Sequence, residues 1–123
     1  MLPLVLLDGA HNPAGAKALS EYLRTFGKKF IFILGMQANK DIRKYISILK
    51  PLSREFLVVR SSNPGSSSAD HVRDLIVSAG GKAVAKRDLR EAVSFARSTG
   101  SPVCLTGSLY LVGDALRQKI FDR

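Results

Sequence analysis

The sequence has little of several things, and each shortage narrows what the chain can be. Its 123 residues include one cysteine, Cys104. An internal disulfide is therefore excluded, and the chain suits a reducing, cytoplasmic setting. Cys104 lies in the apolar run Val103-Cys104-Leu105 and reads as a small buried core residue rather than a reactive thiol. The two histidines, His11 and His71, and the one cysteine have no zinc-ligand spacing. No apolar run approaches the length of a membrane span. Met1 to Leu7 is apolar but short, has no basic leader and runs straight into Asp8, so it reads as a strand rather than a signal peptide. No G-x-G-x-x-G follows the first strand, and no G-x-x-x-x-G-K-[ST] phosphate loop occurs anywhere. No strand end shows a serine-nucleophile elbow.

Acidic residues are also scarce, with 10 Asp and Glu against 19 Lys and Arg and a formal charge of +9. The cations are scattered, tightest at Lys28-Lys29 and Lys86-Arg87, and there is no arginine-rich tail. Such a surface is either simply solvated or draws a small anionic substrate by its summed field. No nucleic-acid motif accompanies the charge, so nucleic acid is not the expected partner.

What is present is an alternation of apolar runs and amphipathic stretches. With 46% hydrophobic residues over this length, the chain is one domain spanning residues 1–123 with a core of its own. The stretch Leu4-Val5-Leu6-Leu7-Asp8-Gly9-Ala10-His11-Asn12-Pro13 organises the rest. A short strand, about Leu4–Leu7, breaks into a polar turn, then Asn12 caps a helix and Pro13 fills its first position. Ala16, Leu19, Leu23 and Phe26 form that helix's apolar stripe, and Gly27 ends it. Lys17, Glu21 and Arg24 face water.

Strand two, Phe30–Leu34, is apolar at every position, as in a parallel sheet covered on both faces. After the loop 36–41, Ile42, Tyr45, Ile46 and Leu49 make the next stripe, stopped by Pro51. Strand three covers 55–60. The loop 61–68, rich in serine with Asn63, Pro64 and Gly65, is the most flexible-looking stretch. A third helix turns Val72, Leu75, Ile76 and Ala79 inward, leaves His71 on the surface and closes at Gly80-Gly81. Strand four is Ala83–Ala85. Asp88 and Glu91 resemble a capping box for a helix with Leu89, Ala92, Val93 and Ala96 inward. Strand five is 102–106. The last helix turns Leu109, Val112 and Leu116 inward, with Leu111 and Ala115 beside them. Five βα units with short connections require parallel pairing and right-handed crossovers. The expected architecture is a Rossmann-like three-layer α/β/α sandwich on a mostly parallel sheet, with strand order open.

In such a sheet the strand-to-helix loops gather on one edge, where ligands bind. That edge collects Asp8, Gly9, His11 and Asn12, then Met36, Gln37, Asn39 and Lys40, then Ser62 and Asn63, then Thr106, Gly107 and Ser108. Helix N-termini there favour anions. Asp8 serves either as a turn cap or as an acceptor for sugar hydroxyls, an ammonium or a metal. His11 either bonds the loop backbone or donates to a phosphate or ribose oxygen. Lys40 is a point charge for phosphate or carboxylate, or a solvated side chain. Ser108 is an N-cap, with or without a ligand role. An anion-friendly edge without a phosphate-gripping loop looks like half of an active site.

Three segments in order then carry a resemblance. Leu7-Asp8-Gly9-Ala10-His11-Asn12-Pro13 resembles the signature of the C-terminal domain of folylpolyglutamate synthase and dihydrofolate synthase, in the Mur ligase superfamily. Gly35-Met36-Gln37-Ala38-Asn39-Lys40-Asp41-Ile42 resembles that family's G-M-x-x-D-K-D segment. Thr106-Gly107-Ser108-Leu109-Tyr110-Leu111-Val112-Gly113 is similar to its G-S-L-Y-L-V-G motif. Gly9 and the G-S-L-Y segment point to the folate branch rather than to the peptidoglycan ligases, which share A-H-N-P. The resemblance implies an ATP-dependent amide ligase of folate metabolism. Such an enzyme phosphorylates the carboxylate of dihydropteroate or of a folate glutamyl tail, and the amine of L-glutamate then attacks the acyl phosphate. It implies ATP and Mg²⁺ as cofactors, held mainly by an N-terminal ATPase domain that this chain lacks, and catalytic silence for the domain alone. The implied nucleotide- and substrate-binding set is Asp8, Gly9, His11, Asn12, Lys40 and Ser108, with Asp8 and His11 at the nucleotide, Asn12 shaping the loop and no metal ligand. Asn39 departs from the family's aspartate, and Asn63-Pro64-Gly65 departs from its Pro-Arg, which removes a carboxylate and a cation. The competing readings are a peptidoglycan-type Mur ligase domain and a free-standing basic α/β module that binds anions or nucleic acid.

Overall fold

A computed structural model describes residues 4–120. The elements alternate throughout: β1 (Val5–Leu7), α1 (Pro13–Arg24), β2 (Phe30–Leu34), α2 (Ile42–Leu49), a 3₁₀ turn (Lys50–Leu52), β3 (Ser53–Val58), α3 (Ala69–Ser78), β4 (Ala83–Ala85), α4 (Leu89–Ser98), β5 (Val103–Thr106) and α5 (Leu109–Arg117). The five strands form one sheet in the order β1-β5-β2-β3-β4. Every pairing is parallel, with Leu6 opposite Cys104, Cys104 opposite Phe32, Phe32 opposite Phe56 and Leu57 opposite Val84.

Period-two alternation divides the core into two layers. Phe30, Phe32 and Leu34 of β2, Phe56 and Val58 of β3 and Cys104 of β5 face α1, α2 and α3. Ile31, Ile33, Leu57, Val103 and Leu105 face α4 and α5. The first layer is ordered by aromatic stacking, with Phe32 and Phe56 rings 5.2 Å apart and 20° from parallel. The fold is the expected three-layer sandwich. Cys104 is fully buried there, and burial pushes its thiol up to about 12. Among the described residues no helix is long and apolar enough to cross a membrane.

The helix boundaries follow local chemistry. Asn12 Oδ1 accepts from Gly15 N at 2.8 Å, with Pro13 in the first turn. Asp41, Ser68 and Asp88 cap α2, α3 and α4 in the same way. Glu91 returns its carboxylate to Arg87 N rather than to the cap residue. At Asp88 the hydrogen bond from Glu91 N is the main cause holding the carboxyl below its usual range.

Four expectations need correction. In α5, Leu109 and Leu116 are 64% and 63% exposed, whereas Leu111, Asp114 and Ala115 are buried. The inner face of this helix carries the carboxylate of Asp114, which makes that face look polar in the sequence. Ala79 is exposed rather than inward, since it caps α3. The serine-rich loop 61–68 is tied down. Gln37 and Ser66 form an antiparallel bridge, Ala38 N donates to Gly65 O at 2.9 Å, and Ser67 N donates to Met36 O at 2.8 Å. Strand three also begins earlier than expected, at Ser53.

Candidate functional site

The sheet reverses its winding where β5 lies between β1 and β2. The helices after β1 and β2 cover one face, and α5 after β5 covers the other. A crevice opens outside the strand ends at such a point. A cleft of about 280 Å³ lies there, walled by His11, Gln37, Asn39, Lys40, Asn63, Ser108, Leu109 and Tyr110. Four loops meet in it, those following β1, β2, β3 and β5. Its wall includes a lysine and a histidine and no carboxylate.

Loop one is built by its own polar groups. Asp8 N donates to Leu105 O at 3.0 Å, and Asp8 Oδ1 accepts from Ala10 N at 2.8 Å. His11 Nδ1 lies 3.1 Å from Gly9 O. A carbonyl only accepts, so Nδ1 carries the proton in this bond. The Nε2 of the neutral ring is then an acceptor, and that of the imidazolium a donor. Gly9 makes room for α5, because a Cβ there would stand 2.3 Å from Leu109 Cδ2. Asn12 is committed to the helix cap.

A buried network fixes this loop to the sheet. Tyr45 Oη donates to Ala10 O at 2.9 Å and lies 2.7 Å from Thr106 Oγ1. Gly107 N donates to Ala10 O at 3.0 Å. Burial raises the Tyr45 phenol well above its ordinary range. Gly107 must be glycine: its φ is +107°, and a Cβ would lie 2.4 Å from Gly35 O. Ser108 Oγ, 1% exposed, accepts from Tyr110 N at 3.0 Å and Leu111 N at 3.4 Å, which caps α5 at the cleft wall.

Loop three is anchored by a carboxylate that the sequence reading passed over. Asp114, 3% exposed, accepts from Ser62 N at 2.9 Å and Ser62 Oγ at 2.6 Å, and pairs with Arg117. Its spacing from Leu111 was the signal, since three residues later is the same helix face. Ser61 and Ser66 hydroxyls bond to each other inside the loop.

The structure thus brings His11, Lys40 and Ser108 to one cleft, with Gln37, Asn39, Asn63, Leu109 and Tyr110. Asp8, Gly9 and Asn12 stand behind it as the frame of loop one. Asn39 is no helix cap, because Asp41 holds that position. Gln37 Nε2 is buried without a hydrogen-bond partner. A stranded buried donor is destabilising by about 1–3 kcal/mol. Among the described residues no three His, Cys, Asp or Glu side chains are grouped to hold a metal ion. With no carboxylate on the cleft wall either, these residues do not fit a divalent cation by themselves.

Known proteins resemble this chain along nearly its whole length. The family model for the dihydrofolate synthetase C-terminal domain matches residues 3–118. The chain is 33% identical over 103 residues to a dihydrofolate synthase/folylpolyglutamate synthase of Mycobacterium tuberculosis, covering 78% of this chain and 20% of that protein. It is 32% identical over 126 residues to a folylpolyglutamate synthase of Lacticaseibacillus casei, covering 96% and 27% respectively. The structure superposes with a TM-score of 0.82 on a bifunctional folylpolyglutamate synthase/dihydrofolate synthase of Yersinia pestis complexed with AMPPNP and Mn ion, at 26% identity over 95% of this chain and 28% of that one. The chain therefore spans under a third of the length of these relatives. On the match of 3–118 and the shared fold, this chain belongs to the family of dihydrofolate synthetase C-terminal domains.

Proposed function

We propose that this chain is the closing domain of an ATP-dependent amide ligase that joins L-glutamate to dihydropteroate, to a folate polyglutamate, or to both. One observation carries the reading: four strand-end loops converge on a cleft walled by His11, Lys40 and Ser108, with no carboxylate among its lining residues. The relatives' names support the substrates, and the Yersinia pestis complex with AMPPNP and Mn ion supports nucleotide and divalent metal as cofactors. At about 280 Å³ the cleft falls just below the usual range for ligand pockets, about 300–1,000 Å³. It suits part of a ligand, with the remainder held by an N-terminal ATPase domain of the same polypeptide. The divalent metal belongs to that domain too and supplies charge neutralisation at the phosphates. The setting is cytoplasmic.

The chemistry assigns clear work to this chain. The substrate carboxylate takes the γ-phosphoryl group of ATP, leaving ADP. The glutamate amine, having lost a proton, attacks the acyl carbon, and phosphate leaves as the amide forms. Every participant is anionic, so Lys40 offsets charge that would otherwise repel, and His11 offers a ring nitrogen for a hydrogen bond. Acyl phosphates hydrolyse, so closure of Leu109 and Tyr110 over the site excludes water from the intermediate. Asp8 works one step back, holding the turn that aims His11.

The test uses the complete polypeptide carrying this domain. With ATP and L-glutamate, dihydropteroate or a reduced folate is expected to give ADP, phosphate and a new amide. Replacing His11 or Asp8 by alanine is expected to lower turnover at least tenfold with the fold retained. Wild-type turnover in both variants, or activity only with a UDP-linked muropeptide precursor, contradicts the reading.

A further inference from the structure

One polar group on the cleft wall has no use within the protein itself. Among the described residues, Gln37 Nε2 is a buried side-chain nitrogen with no hydrogen-bond partner. Its backbone is held by the antiparallel bridge to Ser66, whose two bonds run from Ala38 N to Gly65 O at 2.9 Å and from Ser67 N to Met36 O at 2.8 Å. Its Oε1 rests against Gly65, where a Cβ would come within 3.0 Å. Asn63 Oδ1 accepts from Gly65 N at 2.8 Å and makes no bond with Gln37 Nε2. The side chain therefore starts from a fixed point, on a wall shared with Lys40 and His11.

An amide N–H2 requires an acceptor, and a lysine on the same wall selects an anionic one. A donor kept from water without a partner is a disadvantage to the chain alone, and natural structures hold few of them without cause. An arriving oxyanion turns the disadvantage into binding. The glutamine χ3 torsion is broad and soft, so the amide swings to meet a ligand oxygen without displacing its loop.

We propose that Gln37 is an oxyanion-positioning residue of this cleft, its amide nitrogen donating to a carboxylate or phosphate oxygen of the bound substrate. This rests on the nucleotide-and-glutamate reading of the cleft given above. Gly65 leaves the amide its space, since a Cβ there would come within 3.0 Å of Gln37 Oε1.

Two variants of the complete polypeptide test it, with KM for ATP and for L-glutamate and the thermal midpoint measured in each. Gln37→Leu removes the stranded donor at similar size. The expected result is a KM raised about tenfold for one or both substrates, with no fall in thermal midpoint. A rise for ATP alone identifies a phosphate oxygen, and a rise for L-glutamate alone a carboxylate. Gln37→Glu places a charge on the wall and is expected to raise the same KM further. Both KM values within twofold of wild type overturn the proposal, as does a lowered KM in Gln37→Glu, which indicates a cationic ligand group. A lowered midpoint with unchanged KM marks a structural role and overturns it too. If the Gln37 variants behave as wild type while His11→Ala loses turnover, the Gln37 proposal alone fails. If His11→Ala keeps wild-type turnover, the cleft reading fails and takes the proposal with it.

Discussion

Tyr45→Phe isolates the link between the core and the candidate site. The hydroxyl makes two contacts, to Ala10 O at 2.9 Å and Thr106 Oγ1 at 2.7 Å. Its removal does not strand the Ala10 carbonyl, which keeps Gly107 N at 3.0 Å and has Thr106 Oγ1 at 3.4 Å. The penalty of an orphaned buried acceptor is therefore avoided, and the loss is that of net hydrogen bonding, about 1–2 kcal/mol. For a chain of this size that corresponds to a midpoint lower by roughly 3–8 °C. Urea unfolding followed by far-UV circular dichroism measures it. The partner variant Thr106→Val breaks the same network from the other side, so the double variant is expected to lose less than the sum, by about 0.5–1.5 kcal/mol. Strict additivity, or a Tyr45→Phe variant as stable as wild type, refutes the idea that this network fixes loop one to β5.

Three further outcomes are expected. Gly107→Ala meets both a φ of +107° and a backbone oxygen 2.4 Å from the new Cβ, so a loss above about 3 kcal/mol or failure to fold is expected in the same unfolding assay. Asp114→Ala frees Ser62 N and Oγ, with an expected loss of about 1.5–3 kcal/mol and faster hydrogen exchange at the Ser62 amide. Alkali is expected to destabilise the chain through Cys104 and Tyr45, because burial raises both groups above their ordinary 9.0 and 10.0. Each stays neutral in the fold while the unfolded chain ionises. Stability is thus full below pH 9, then falls from pH 9 towards about 12 for the thiol and from pH 10 upward for the phenol. The fall approaches about 1.4 kcal/mol per pH unit for each group. Urea midpoints between pH 8 and 11 should decline less steeply in Tyr45→Phe.

Much of the architecture was legible because local and global signals agreed. Asn12-Pro13 marks a helix start by its chemistry alone, and the short, unbroken run Phe30–Leu34, all aromatic or aliphatic and ended by Gly35, fits a strand covered on both faces. The reading failed where a residue's role depends on a distant partner. Asp114 looks like a solvent-facing acid until Ser62, 52 positions away, is seen to donate to it, and that one carboxylate misled the phase of α5. The serine-rich loop looks mobile by composition, yet backbone bonds to Met36 and Ala38 hold it. Tyr45 read only as a member of an apolar stripe, since its polar partners are 35 and 61 residues away. For the candidate site, the sequence named the edge and the loops that the structure gathers around one cleft. The separation of His11, Lys40 and Ser108 on the cleft wall from Asp8, Gly9 and Asn12 in the supporting turn required coordinates.

The most direct measurement is hydrogen–deuterium exchange on the complete polypeptide carrying this domain, with and without AMPPNP and L-glutamate. If the cleft is the closing half of a ligase site, exchange should slow at backbone amides within 9–12, 36–40 and 107–111 when both ligands are present. Unchanged exchange in all three loops under saturating ligand, with protection confined to the rest of the polypeptide, contradicts the assignment of this cleft to the reaction.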